Sequence, residues 1–290
     1  MFSRKAGVIV FLCVASSLQA AEFSGASALE FTRKATAFGV RPSGSAAIRR
    51  EQAYIEAQAT KDGWEVSEDA FTGQTPNGPV TMKNIIARLP GHGSRMVVFT
   101  GHYDTKILPG FVGANDGGSS AGFLLEMARV LPTRERNGEV DLVWFDGEEA
   151  VRKEWAGDDN LYGSRHLAAK WAADGTLARV KALINVDMIG DKDLGIAYET
   201  KSDAGLRGLI WRTAETLGYG KYFQTEGGEI EDDHVPFVNA GAPAVDLIDF
   251  DYGPRNSYWH TAQDTVDKLS AHSFEVLGNV LTAVWRKLDE

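Results

Sequence analysis

Only one of the chain's 290 residues is a cysteine, Cys13. A lone thiol closes no disulfide, so packing must stabilise the folded protein without cross-links. Long apolar runs are also missing: the run at residues 8–15 is too short to span a bilayer securely, and no later stretch is long enough to try. No stable membrane association is expected. Excess positive charge is absent too. With 30 Lys and Arg against 40 Asp and Glu, the formal net charge is −10 at pH 7, which makes nucleic acid an improbable partner. Nothing in the composition suggests repeats or disorder, and 43% hydrophobic residues suffice for one large core.

Residues 1–20 read as a secretory signal, with Arg4 and Lys5 at the positive end, Val8 to Ala15 as the apolar core, and Ser16 to Ala21 as the small-residue exit. A catalytic domain of residues 21–290 is expected, exported to the periplasm or secreted. Cys13 lies inside the signal, and Leu12 before it is not the small residue that a lipid-attachment site requires. Removing Arg4 and Lys5 leaves the mature chain two charges more negative. Its acids gather in 226–233 and 246–251, a pattern that suits a cation site or, on composition alone, a solvated rim.

Hydrophobic periodicity places a helix over 45–61, with Ser45 as its N-cap and Gly63 closing the segment; it reads as a surface helix. Strands are expected at 64–71, 80–89 after the Thr75-Pro76-Asn77-Gly78 turn, and 96–100, so the first third supplies an antiparallel edge. Thereafter helices at 118–130, 163–172 and 204–217 alternate with strands at 140–145 and 180–186. A short helix at 233–240, a strand at 244–248 and a closing helix at 273–288 follow. This order implies an α/β fold, a three-layer α/β/α sandwich on a mixed, mostly parallel sheet, with its site at strand ends and the loops beyond them.

The stretch FDGEEAVRKEWAGDDNLYGSRHLA, from Phe145, is the most informative. An apolar strand that ends in Gly-Glu-Glu brings Glu148 and Glu149 to one mouth of the sheet, where one acid can bind a metal while its neighbour handles a proton. Other apolar-strand exits carry His102 and Asp104, Asp116 in a Gly-Ala-Asn-Asp-Gly-Gly loop, Asp187, Asp246 and His260. Mixed nitrogen and oxygen donors of this kind suit zinc. Each has a plainer reading. Asp116 and Asp187 could cap helices, His102 could be a satisfied strand-end histidine, and the two glutamates could form the acidic first turn of a helix. Taken together, ligand-type residues at so many exits favour a metal site. His92, His166 and His272 read as structural or exposed.

With these residues in place, the chain resembles the zinc exopeptidases and, more specifically, the glutaminyl cyclases, which convert N-terminal glutamine to pyroglutamate. The landmarks, spread over residues 85–270, are GHYDTK, FVGAND, FDGEEA, Trp155, LYGSRHLA, EDDHVPF and YWHT. The resemblance implies one zinc held by Asp116, Glu149 and His260, with Glu148 as the proton-transfer group. It further implies that Asp187 and Asp232 belong to the hydrogen-bond network serving that acid, and that Trp155 and Trp259 wall the glutamine side chain. Asp246 stands where animal cyclases carry a histidine and is assigned with the substrate-binding residues. Glu231 stands where an amide is usual in them.

Peptide or protein N-termini are the implied substrates, and a monomer is expected because no amphipathic seam or heptad appears. The principal rival is a two-zinc aminopeptidase, in which His102 and Asp187 hold a second zinc, Asp116 bridges the two ions and Glu148 activates water. The tryptophan-bearing insertion, Asp232 before Asp233-His234, and Trp259 before His260 point back to the cyclases. A binding module on an inactive scaffold would require a lost ligand or base, and none is missing.

Overall fold

The computed structural model of the protein describes residues 21–134 and 136–290, so the expected signal segment lies outside the described residues. Six strands form one sheet. Its spatial order is β1 (Glu65–Thr75), β2 (Gly78–Leu89), β4 (Glu139–Phe145), β3 (Met96–His102), β5 (Val180–Asp187) and β6 (Ala244–Ile248). The β1–β2 hairpin is antiparallel, and β2 runs antiparallel to β4. From β4 through β3 and β5 to β6 every pairing is parallel, as expected for the larger part of the sheet.

Alternation along the strands builds two cores. Ala87, Phe99, Trp144, Ile184 and Leu247 face one side, where they pack with helices α1 (Gly25–Thr36), α2 (Ala46–Lys61), α3 (Gly118–Val130), α5 (Ala204–Thr216) and α7 (Ala271–Asp289). Ile86, Val98, Val143 and Phe145 face the other, against Leu167 and Trp171 of α4 (Tyr162–Asp174) and Phe237 of α6 (Val235–Asn239). Helices thus cover both faces of a largely parallel sheet, the arrangement that buries its strands most completely.

Two elements differ from expectation. Helix α1 had no counterpart in the sequence reading; it is capped by Ser24, whose side chain accepts the Ser27 N–H. Helix α2 begins as expected, with the Ser45 hydroxyl accepting the Ile48 N–H, but it is more than a surface helix. Ile48, Ile55 and Ala59 are buried, and the buried Glu51 reaches Arg41 at 2.7 Å. Arg41 also donates to the carbonyls of Gly39 and Val112 at 3.0 and 2.6 Å, whereas Glu51 has no hydrogen-bond partner beyond Arg41, and burial pushes its carboxyl up to about 8.

The parallel strands bring their C-terminal ends to one edge. His102 and Asp187 are the last residues of β3 and β5, and Glu148 follows β4 by three positions. No helix of the described residues is long and apolar enough to cross a membrane.

Candidate active site

The β4 exit turns sharply at Gly147, whose φ of +75° is readily reached only by a residue without a side chain. An added Cβ there would also lie 2.7 Å from Met82 Sδ. Beyond the turn, Asp104 accepts the backbone N–H of Glu148 through Oδ1 at 3.1 Å and that of Glu149 through Oδ2 at 3.4 Å. No helix begins until Tyr162, so the glutamates are not an acidic helix turn. Asp116 is not a helix cap either: α3 is capped by Gly117 without a side-chain bond.

Asp116 instead faces two histidines. Its Oδ1 lies 3.2 Å from His102 Nε2, and its Oδ2 lies 3.2 Å from His260 Nε2. Glu149 Oε1 is 3.3 Å from the same His260 nitrogen, and Asp187 Oδ1 is 3.1 Å from His102 Nε2. Two triads result, Asp116–Glu149–His260 and His102–Asp116–Asp187, each with donor atoms within 4.8 Å of one another. Despite these approaches, Asp116 Oδ2 and both Glu149 carboxylate oxygens are buried without a hydrogen bond. Carboxylates left in this state, grouped with imidazoles, fit a divalent cation and in particular zinc.

Electrostatics reinforce that fit. Burial is the largest influence on Glu148 and pushes its carboxyl well above the usual range; His102 opposes it, while Glu149, Asp232 and Asp233 add to the rise. Burial likewise lifts Asp187 to about 7 against the pull of His102. For Asp116, burial is outweighed by the facing imidazoles of His102 and His260, which hold it below the ordinary range. Negative charge is therefore crowded here at a cost that a bound cation would offset.

A cavity of about 370 Å³ opens beside the triads, lined among others by Glu148, Trp155, Asp187, Asp232 and Trp259. Trp259 stacks on His260, with centroids 4.1 Å apart and planes at 21°, and meets Phe250 edge-on at 5.1 Å. Trp155 arrives on the Ala150–Leu161 insertion. That loop is closed at its base: the N–H groups of Leu161 and Tyr162 donate to the carbonyls of Glu148 and Gly147, both at 2.8 Å. Asp159 accepts the N–H groups of Val151 and Arg152 within it.

Asp246 occupies a different place from the one expected. It lies within β6, not at its exit, and it does not line the cavity. Its Oδ1 accepts from Asn185 Nδ2 of β5 at 3.1 Å, and it is buried. The acidic clusters divide similarly: Glu226, Glu229, Glu231 and Asp251 are exposed, whereas Asp232, Asp233, Asp246 and Asp249 are buried. His166 stacks on Phe71 and His272 bonds to Tyr222, both away from the cavity.

Other site residues went unassigned in the sequence. Lys106, in the GHYDTK stretch, is buried; its Nζ donates to Ala150 O at 2.9 Å and lies 3.6 Å from Glu149 Oε2. A lysine two residues beyond the last strand-exit acid was the available signal. Phe250 and Ile230 complete the apolar wall, but an isolated apolar residue in a loop announces nothing. Glu199 braces that wall from behind by accepting the Ile230 N–H at 3.2 Å and approaching His234 Nε2 at 3.1 Å.

The site sits at the carboxyl edge of a parallel sheet and pairs acids with histidines, as expected of a metal-dependent hydrolase-like fold. The Peptidase family M28 model matches residues 84–285, and the chain belongs to that family. Within it, a glutaminyl-peptide cyclotransferase of Drosophila melanogaster is 34% identical, over 73% of this chain and 66% of its own length. A solved glutaminyl cyclase of an Acidobacteriales bacterium superposes with a TM-score of 0.89 at 37% identity, covering 99% of both chains. A solved Zn-dependent exopeptidase of Parabacteroides distasonis has a TM-score of 0.82 at 26% identity, covering 92% of this chain and 99% of its own.

Proposed function

We propose that the protein is a zinc-dependent glutaminyl-peptide cyclotransferase, closing the N-terminal glutamine of peptides and proteins to pyroglutamate with release of ammonia. The observation that carries this reading is the meeting, at one cavity, of Glu148 and two members of the zinc triad, Asp116 and His260, with two tryptophans. A glutamine side chain needs apolar walls along its methylenes and a polar end at its amide. Trp155 and Trp259 supply the walls. The polar end is provided by Glu148, Asp187 and Asp232.

Asp116, Glu149 and His260 would hold the zinc. Bound there, it supplies Lewis acidity to the substrate's γ-carbonyl oxygen. Glu148 accepts a proton from the substrate α-amine as its nitrogen attacks the γ-carbon. The new C–N bond closes a five-membered ring, the bond to the amide nitrogen breaks, and Glu148 returns the proton to the departing group, which leaves as ammonia. No water is consumed. Because both reacting groups belong to one residue, the tryptophan walls serve chiefly to hold the ring-closing conformer. A Glu148 carboxyl held above the usual carboxylate range by burial suits an acid that must both take and give a proton.

The second triad supports a rival. His102, Asp116 and Asp187 could hold a further ion, and the two-zinc aminopeptidase reading would then make Glu148 the activator of water. The tryptophan-walled cavity favours one zinc and cyclisation. A peptide beginning with glutamine and one beginning with leucine, incubated with zinc-loaded protein lacking residues 1–20, separate the readings by mass spectrometry. Loss of one ammonia from the first peptide alone supports the cyclase; free leucine from the second supports the aminopeptidase. The proposal extends to a monomer whose residues 21–290 form one catalytic domain, exported after removal of the signal.

A further inference from the structure

Asp264 follows the proposed ligand His260 by four residues and is fully buried. Its Oδ1 accepts the Asn115 backbone N–H at 2.8 Å, and its Oδ2 accepts the N–H of Asp116 itself at 3.2 Å. The Tyr252 phenol, also fully buried, donates to Oδ1 at 2.8 Å. One carboxylate therefore clasps the backbone of one proposed ligand from the loop that carries another.

Both loops depend on such a tie. His260 sits at φ +51°, a left-handed conformation uncommon for a residue other than glycine. The loop at Asp116 is flanked by Gly113 and Gly117, both at positive φ, so its own backbone preferences do not fix it. Asn115 anchors the same loop on its far side, donating from Nδ2 to Met188 O at 3.0 Å and accepting the Gly190 N–H at 2.7 Å. The Asp264 clasp closes the remaining side.

We infer that Asp264 is a positioning residue for the zinc triad, setting the separation of Asp116 and His260 through two backbone N–H bonds and the Tyr252 phenol. It does not line the cavity. This inference rests on the zinc reading given above. Its physical basis is that groups orienting metal ligands from outside contribute to affinity, their loss typically costing about 10- to 100-fold. An asparagine at 264 keeps the shape but turns an amide donor toward backbone donors or the phenol, so at least one of the three bonds is lost.

The test is zinc affinity, measured by competition with a chromophoric chelator on the protein lacking residues 1–20. Asp264→Asn is expected to weaken zinc binding about 10- to 100-fold, and Tyr252→Phe by a smaller factor. Asp69→Asn is the control for loss of a buried carboxylate: Asp69, on β1, accepts from Asn84 Nδ2 and Lys170 Nζ and makes no bond to either ligand loop. Its affinity should stay within about twofold of the parent while its Tm falls. Parent-like zinc binding in both Asp264→Asn and Tyr252→Phe would overturn the positioning role. If Asp264→Asn fails to fold, Tyr252→Phe alone decides. A parent protein that takes up no zinc would instead overturn the zinc reading, and this inference with it.

Discussion

Asp104 and Glu148 are joined through the backbone, with the Glu148 N–H donating to Asp104 Oδ1 at 3.1 Å. The other Asp104 oxygen takes the N–H of Glu149. A charged acceptor thereby fixes two successive residues whose side chains must do different things. For Asp104→Asn, one of these bonds becomes a donor facing a donor. We expect turnover to fall at least tenfold, about 1.4 kcal/mol in the barrier, and circular dichroism should show the fold retained.

Glu148→Gln tests the proton role. The amide is nearly isosteric but cannot accept the amine proton, so kcat is expected to fall about 10²- to 10⁴-fold. Zinc content should be unchanged because the proposed ligands Asp116, Glu149 and His260 are all retained. Single-turnover rates together with metal analysis check both halves; a variant that still turns over normally would exclude Glu148 from proton transfer.

Trp259→Ala should raise KM for glutamine peptides about tenfold or more, equivalent to about 1.4 kcal/mol of lost binding. The loss of folding stability should be no larger than an aromatic pair contributes, about 0.5–1.5 kcal/mol, since Trp259 is only partly buried. Steady-state kinetics beside urea unfolding distinguish a pocket wall from a core filler.

Glu199 predicts an acid limit to stability. Burial pushes its carboxyl upward, but bonds from His234, Ser202 and the Lys201 N–H outweigh this and hold it at about 2, below its ordinary 4.5. A depressed folded-state value means the stabilisation is present above 4.5 and is lost as pH falls from 4.5 toward 2. Glu199→Gln should be less stable than the parent at pH 6, and the difference should shrink across that window in urea titrations.

Gly122→Ala tests the contact between α1 and α3. An added Cβ would lie 2.1 Å from Thr32 Oγ1 and 2.8 Å from Ala28 O, so the two helices must part. A cost of about 1–3 kcal/mol is expected, as for other overpacked cores, read as a lowered urea midpoint.

That same contact explains why α1 was invisible in the sequence. Its buried face is Gly25, Ala28, Thr32, Ala35 and Thr36, a stripe chosen for close approach rather than for hydrophobicity. Periodicity in apolar residues finds helices such as α7, whose buried side bears Phe274, Leu277, Leu281 and Trp285, but not one packed through small residues. The acids and histidines at the strand ends were legible because a parallel sheet gathers such ends in space. Asp264 was not: its partners are backbone N–H groups almost 150 positions away, and no residue pattern records a backbone bond. Asp246 was misplaced at a strand exit although the strand expected over 244–248, which is β6, already puts it at the centre.

The Ala150–Leu161 insertion departs from the β4 exit and returns to the carbonyls of Gly147 and Glu148, so its two ends meet at one doorway. Closing a flexible loop costs little more as it lengthens. The stretch that carries Trp155 is therefore a replaceable cassette: exchanging it between members of the family would change the wall that greets the substrate while the sheet and its acids stay as they are.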